Sequence, residues 1–232
     1  MQRNQTHAHL NPSSPIELIK QTAYHEAGHA VAIYLRNKQQ QLPPVFFEIK
    51  FLIHGPIGAN HNYLANVEGG RLIEHLPSSL AYLTKFEQHA YHSACEADII
   101  NLLIGPLTEA KYVSLRDDEV FNQHLLNVQR LGAYGGTSDL NIIDTYLEWL
   151  AENPQQRIEK IEQLFTKAFQ FIDNRHHWKI IKAVANYLIH NTHSTIPCED
   201  IIEVIESASN SEASAYLARS RRILLAEGLR NL

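Results

Sequence analysis

Residues Ser14 to Lys38 read SPIELIKQTAYHEAGHAVAIYLRNK, and their periodicity decides the front of the fold. Ser14-Pro15-Ile16-Glu17 supplies a hydroxyl cap, a proline at the first helical position and a glutamate at the third. That is the pattern of a capping box, with proline where no N–H is needed. Downstream, Ile19, Ala23, Ala27, Ala30, Val31 and Tyr34 recur at three and four residues, which predicts an amphipathic helix to about Lys38, ended by Pro43-Pro44.

After this helix the period changes. From Val45 to Ile53 the side chains alternate, with Phe47, Ile49, Phe51 and Ile53 on one side and Glu48 and Lys50 on the other, as in a half-buried strand. A Gly/Pro/Asn-rich turn, His54 to Asn62, and a second short run, Tyr63 to Val67, suggest a hairpin or small sheet closed by Gly69-Gly70. The helical pattern returns from Ser79 to Leu103, is expected to break at Gly105-Pro106, and resumes from Leu107 to Leu115. A further helix is expected over Glu119 to Leu131, then a glycine-rich loop, Gly132 to Gly136, after which Asp139 opens another helix. Beyond Pro154 come two long helices, a turn at Thr195 to Cys198 and two more helical segments. The expected architecture is therefore mainly α, with one small hairpin or sheet in the N-terminal half. A disordered tail, residues 1–13, would precede a single domain over 14–232, divided into 14–152 and a helical C-terminal part, 153–232.

Composition narrows the function classes. Hydrophobic residues make up 44% and charged residues 19%, ordinary values for a folded protein. The net charge of -5 gives no broad positive field to gather phosphates, so nucleic acid is not an expected partner. The one basic cluster, Arg219, Arg221 and Arg222, reads as a solvated helix face. The longest apolar runs, such as Ala30 to Leu35, fall far short of the roughly 20 residues that cross a bilayer, and the polar start has no secretory pattern. With two cysteines in no paired motif, the expected compartment is the reducing cytoplasm.

The helix of the opening stretch carries His25-Glu26-Ala27-Gly28-His29. Residues four apart share a helical face, so both imidazoles can reach one metal ion, with Glu26 angled toward the same point. Zinc suits such nitrogen ligands, and a catalytic zinc keeps a position for water, whose pKa it lowers toward about 7 while a carboxylate takes the proton. Glu26 is therefore the candidate catalytic base. Gly28 sits inside the helix at a cost of about 1 kcal/mol relative to alanine, so a packing or functional reason is expected for it. With 14 histidines in the chain, other pairs occur. His89 with His92, and His176 with His177, read as ordinary surface or half-buried residues.

A third protein ligand is needed, and the five-residue motif does not supply it. Asp139, in Gly135-Gly136-Thr137-Ser138-Asp139-Leu140, follows a loop at a helix start, where capping would also explain it. Glu109, in Gly105-Pro106-Leu107-Thr108-Glu109-Ala110, competes, and the residues alone leave the two nearly even.

The segments His25 to Ala30, Gly105 to Glu109 and Gly136 to Leu140 occur in the order and rough spacing seen in the protease domain of FtsH-type AAA+ zinc proteases, which this chain resembles. The stretch from Trp178 to Glu206 is similar as well, with an apolar helix, a short turn and a second helix. The resemblance implies a zincin-like helical peptidase domain that binds Zn2+ through His25, His29 and Asp139, leaving Glu109 as a carboxylate beside the site. It also implies a polypeptide substrate. No glycine here is followed by lysine, so a phosphate-cradling Walker loop cannot be written. The expectation is a peptidase without an ATPase of its own, with a separate ATPase partner or self-association as alternatives. Tyr134, near Asp139 in sequence, is the one candidate for stabilising an oxyanion.

Overall fold

The computed structural model describes residues 2–4, 14–51, 63–74, 83–191 and 193–210. The turn His54 to Asn62, residues 5–13 of the expected tail and the arginines at 219, 221 and 222 lie outside these residues. Five long helices, α1 (Pro15–Gln39), α2 (Lys85–Arg116), α3 (Thr137–Leu150), α4 (Pro154–Asp173) and α5 (Arg175–His190), are followed by a sixth, α6, over 198–210. Four short strands, β1 (Gln2–Asn4), β2 (Phe47–Phe51), β3 (Tyr63–Gly69) and β4 (Thr195–Pro197), form one antiparallel sheet in the order β1-β3-β2-β4. The fold is mainly α with a small sheet. Among the described residues no helix is long and apolar enough to cross a membrane.

Helix α1 begins as its sequence dictates, with Ser14 Oγ accepting from the Glu17 amide at 3.3 Å and Pro15 opening the first turn. The Glu17 carboxylate is drawn to Arg116 at the end of α2, 2.9 Å away. Through its middle, α1 is buried on nearly all sides, because α2 and α5 pack along it and the sheet lies across it. Strand β2 keeps the expected alternation: Phe47, Ile49 and Phe51 are buried, and Lys50 faces outward to meet Glu68 of β3 at 2.6 Å.

Five sequence expectations are corrected. The helix expected from Ser79 starts at Lys85, where Thr84 and Glu87 form a complete capping box; Ser79 itself lies outside the described residues. Pro106 does not break α2, which runs on for 32 residues. Its missing N–H leaves only one ladder bond unmade, and the buried neighbourhood around Leu103, Ile104 and Leu107 holds the chain helical. The helix expected over Glu119 to Leu131 is replaced by two 3-10 turns, Gln123–Leu125 and Val128–Tyr134. Asn122 and Asn127 cap these turns, bonding the amides of His124 at 2.9 Å and Arg130 at 3.0 Å, and such local bonds compete with α-helix. The turn expected at Thr195 is strand β4, since Ile196 pairs with Ile49 and buries its side chain. In the segment expected as a disordered tail, Gln2–Asn4 pairs with the outer edge of β3.

Candidate metal centre

Three tight approaches bring the site together. Where α1 crosses α2, a Cβ on Gly28 would overlap Thr108 and lie 3.0 Å from the Ile104 carbonyl oxygen, so only glycine lets the two backbones meet. This is the packing reason expected for a glycine inside α1. On α2, a Cβ on Gly105 would run into the ring of His29. Ahead of α3, a Cβ on Gly136 would stand 2.8 Å from Pro106 Cβ and 2.9 Å from the Leu131 carbonyl oxygen. Pro106 is thus the surface on which the start of α3 rests. Gly135, in the left-handed region with φ 74°, turns the chain into that helix.

The result is a closed cluster. His25, Glu26, His29 and Asp139 are all buried with 0% exposure. The Nε2 atoms of His25 and His29 stand 3.3 and 3.5 Å from the same oxygen, Asp139 Oδ2. One ligand atom from each of the three residues lies within 4.8 Å of the others, and among the described residues this buried group of His25, His29 and Asp139 could hold a metal ion. His89 with His92, and His176 with His177, form no such group among the described residues. His177 instead stacks on Phe171 and bonds its carbonyl oxygen at 2.9 Å. Cys95 and Cys198 are free and buried.

The other ring nitrogens are held away from the centre. His25 Nδ1 lies 3.2 Å from Glu109 Oε2 and 3.2 Å from the main-chain oxygen of Tyr134. His29 Nδ1 lies 2.9 Å from the main-chain oxygen of Asn101. All three partners are acceptors, so each Nδ1 is the nitrogen that donates to them, and in the neutral ring Nε2 is the one left with a lone pair facing inward. A ligating imidazole is oriented in just this way. Glu109 therefore stands behind His25, on the far side of the ring from Asp139. It is Tyr134's carbonyl that touches the site.

Electrostatics favour a positive charge at the centre. Burial alone would lower the His25 pKa, but Asp139, Glu109 and the charge of Glu26 outweigh it and raise the imidazole to about 9. Burial would raise the Asp139 carboxyl, yet the two imidazoles hold it well below the usual carboxylate range. Glu26 is raised by burial, partly offset by His25 and His29. His25 Nε2, His29 Nε2 and both carboxylate oxygens of Glu26 and of Asp139 have no hydrogen-bond partner among the described residues. So many unpartnered polar atoms in one buried region are rare in a folded core, and a cation held by His25, His29 and Asp139 would satisfy the atoms of those three residues. Two nitrogens and a carboxylate oxygen are a fitting donor set for zinc.

Sequence reading missed Asn101 and Gly105 as parts of the site. Asn101 acts through its main chain, which any residue would present, so nothing marked it. Gly105 was read as a break, although a glycine inside an apolar run is also the sign of a close approach. The chain matches no protein-family model and no curated protein.

Proposed function

We propose that this chain is a zinc-dependent metalloendopeptidase that hydrolyses peptide bonds of polypeptides. The observation that carries the reading is the convergence of His25 Nε2, His29 Nε2 and Asp139 on one buried point, with the unpartnered carboxylate of Glu26 next to it in the chain. The resemblance to FtsH-type proteases in the order of the three segments supports the same assignment. A zinc ion held there would polarise the scissile carbonyl and bring water toward a pKa of about 7. His25, His29 and Asp139 would hold the ion, and Glu109, Tyr134 and Asn101 would fix the two rings. Glu26, raised by burial, accepts the proton of the attacking water on its carboxylate and returns it to the leaving nitrogen. The test is metal analysis joined to an assay of an unfolded protein substrate. Zinc near one per chain, chelator-sensitive cleavage, and a Glu26→Gln variant that keeps zinc but loses cleavage are expected; cleavage persisting in that variant refutes the role of Glu26.

A second reading is favoured by the complete burial of the four side chains. In it, the chain is a zinc-site scaffold without turnover, or the peptidase partner of a separate ATPase. Cleavage that appears only when cell extract is added would support the partner form.

A further inference from the structure

Arg36 lies on α1 seven positions beyond His29, two turns on and on the same face. It is 7% exposed, and burial lowers its pKa to about 10 with no carboxylate beside it among the described residues. A buried charge without a counter-charge is costly, so a fold that keeps one calls for a reason. Its Nη1 donates to the Asn101 side-chain oxygen at 3.0 Å and to the Ala97 main-chain oxygen at 3.3 Å, one turn of α2 apart. The Asn101 amide nitrogen finds no partner among the described residues, so the bond to Arg36 is what places that side chain. The main-chain oxygen of the same Asn101 accepts from His29 Nδ1 at 2.9 Å. Guanidinium and imidazole thus hold one residue of α2 from two sides.

Along this seam α1 and α2 run antiparallel: Arg36 meets Ala97 and Asn101, His29 meets Asn101 and Gly105, Gly28 meets Ile104 and Thr108, and His25 meets Glu109. Gly28 and Gly105 let the helices approach, but a missing side chain does not say where along the axis they stop. A directional polar contact does, and fixing register is the best-attested use of a buried polar or charged group. We infer that Arg36 is a positioning residue of the metal centre: through Asn101 it sets the register of α2 on α1, and with it the oxygen that turns His29 Nε2 toward Asp139. The inference rests on the proposed metal reading for the task of His29, while the hydrogen bond it depends on is measurable without metal.

Two readouts on the full chain test it: the downfield Nδ1 proton of His29 in metal-free protein by NMR, and zinc affinity by chelator competition. In the wild type that proton should be visible, slowed in its exchange with water by the bond to Asn101. Arg36→Met should lose it and weaken zinc binding by about tenfold. Asn101→Asp keeps an acceptor for Arg36 and should retain both. Arg36→Met combined with Asn101→Leu replaces both partners by apolar groups, which can be nearly neutral for stability. Tm should then recover from any fall in Arg36→Met, while the proton and the affinity stay lost; a merely structural tie would bring affinity back with Tm. That return, an Nδ1 proton absent from the wild type, or proton and affinity both unchanged in Arg36→Met would each overturn the assignment. A wild type that binds no zinc refutes the metal reading instead, and the Nδ1 proton in Arg36→Met still decides the role of Arg36.

Discussion

Glu109 and Asp139 approach His25 from opposite sides of its ring, Glu109 Oε2 at 3.2 Å from Nδ1 and Asp139 Oδ2 at 3.3 Å from Nε2. The two carboxylates that the sequence left as near-equal candidates therefore have different tasks in the proposed site. Removing the Asp139 carboxylate as Asp139→Ala takes away a ligand and should abolish tight zinc binding. Glu109→Gln keeps the shape but removes the charge behind His25, and loss of such a supporting partner costs roughly 10–100-fold in metal affinity. Competition titration with a coloured chelator measures both. Equal losses in the two variants would reverse the assignment.

Room for the His29 ring exists because α2 has no side chain at Gly105. Alanine is the better helix former by about 1 kcal/mol, so propensity alone says Gly105→Ala should stabilise the protein. Overlap with the ring says otherwise, since forcing extra atoms into a packed core costs typically 1–3 kcal/mol. The expected outcome is net destabilisation together with weakened zinc binding. Gly132→Ala is the control, because a Cβ there meets only Thr137 Oγ1 at 3.6 Å, and should move stability by no more than about 0.5 kcal/mol. Chemical denaturation and zinc titration of both variants settle the comparison.

How far the sequence carried the reading depended on which interactions were local. The Ser14 cap, the alternation over Phe47 to Phe51 and the spacing of His25 and His29 are properties of neighbouring residues, and each is legible in one pass. The failures came where distant segments decide. Pro106 reads as a helix stop until Gly136 is seen resting on it, and Thr195–Pro197 reads as a turn until β2 offers it an edge. The alternation of β2 likewise shows that it is a strand but not that β3 and β4 occupy both its sides. The third member of the metal group, over a hundred residues from the first two, could be narrowed by spacing only to two carboxylates.

Away from the metal centre, Asp98 gives the fold a defined pH response. Its carboxylate accepts the amides of Leu72 at 2.9 Å and Ile73 at 3.0 Å and faces the Tyr146 hydroxyl. Burial pushes its pKa up to about 6, against those amides and the nearby Arg71 and Tyr146, which favour the charged form. A carboxyl whose pKa is raised on folding binds its proton more tightly in the folded state, so its contribution to stability is fullest below about pH 4 and is lost as pH rises through 6. The loss is on the order of 2 kcal/mol. Asp98→Asn cannot ionise, so the difference in unfolding free energy, wild type minus variant, should fall between pH 4 and pH 7. A difference that stays flat or rises across that range contradicts the raised pKa.

Burial of the whole site raises the question of access, and β1 is where the structure offers an answer. Gln2–Asn4 lies along the outer edge of β3 and also packs against α1 and α3, the two helices that carry His25, His29 and Asp139. It is held mainly by its own short ladder, and a strand of 3 residues at a sheet edge is the kind of element that opens at little cost. Deleting residues 1–4 should therefore leave the helical core folded while exposing the β3 edge and the approach between the two helices. Zinc release to excess chelator, followed by a colour change, should then speed up several-fold relative to the full chain, with melting of the helices by circular dichroism nearly unchanged. A release rate equal to that of the full chain would mean that ion and water reach the centre by a path that β1 does not cover.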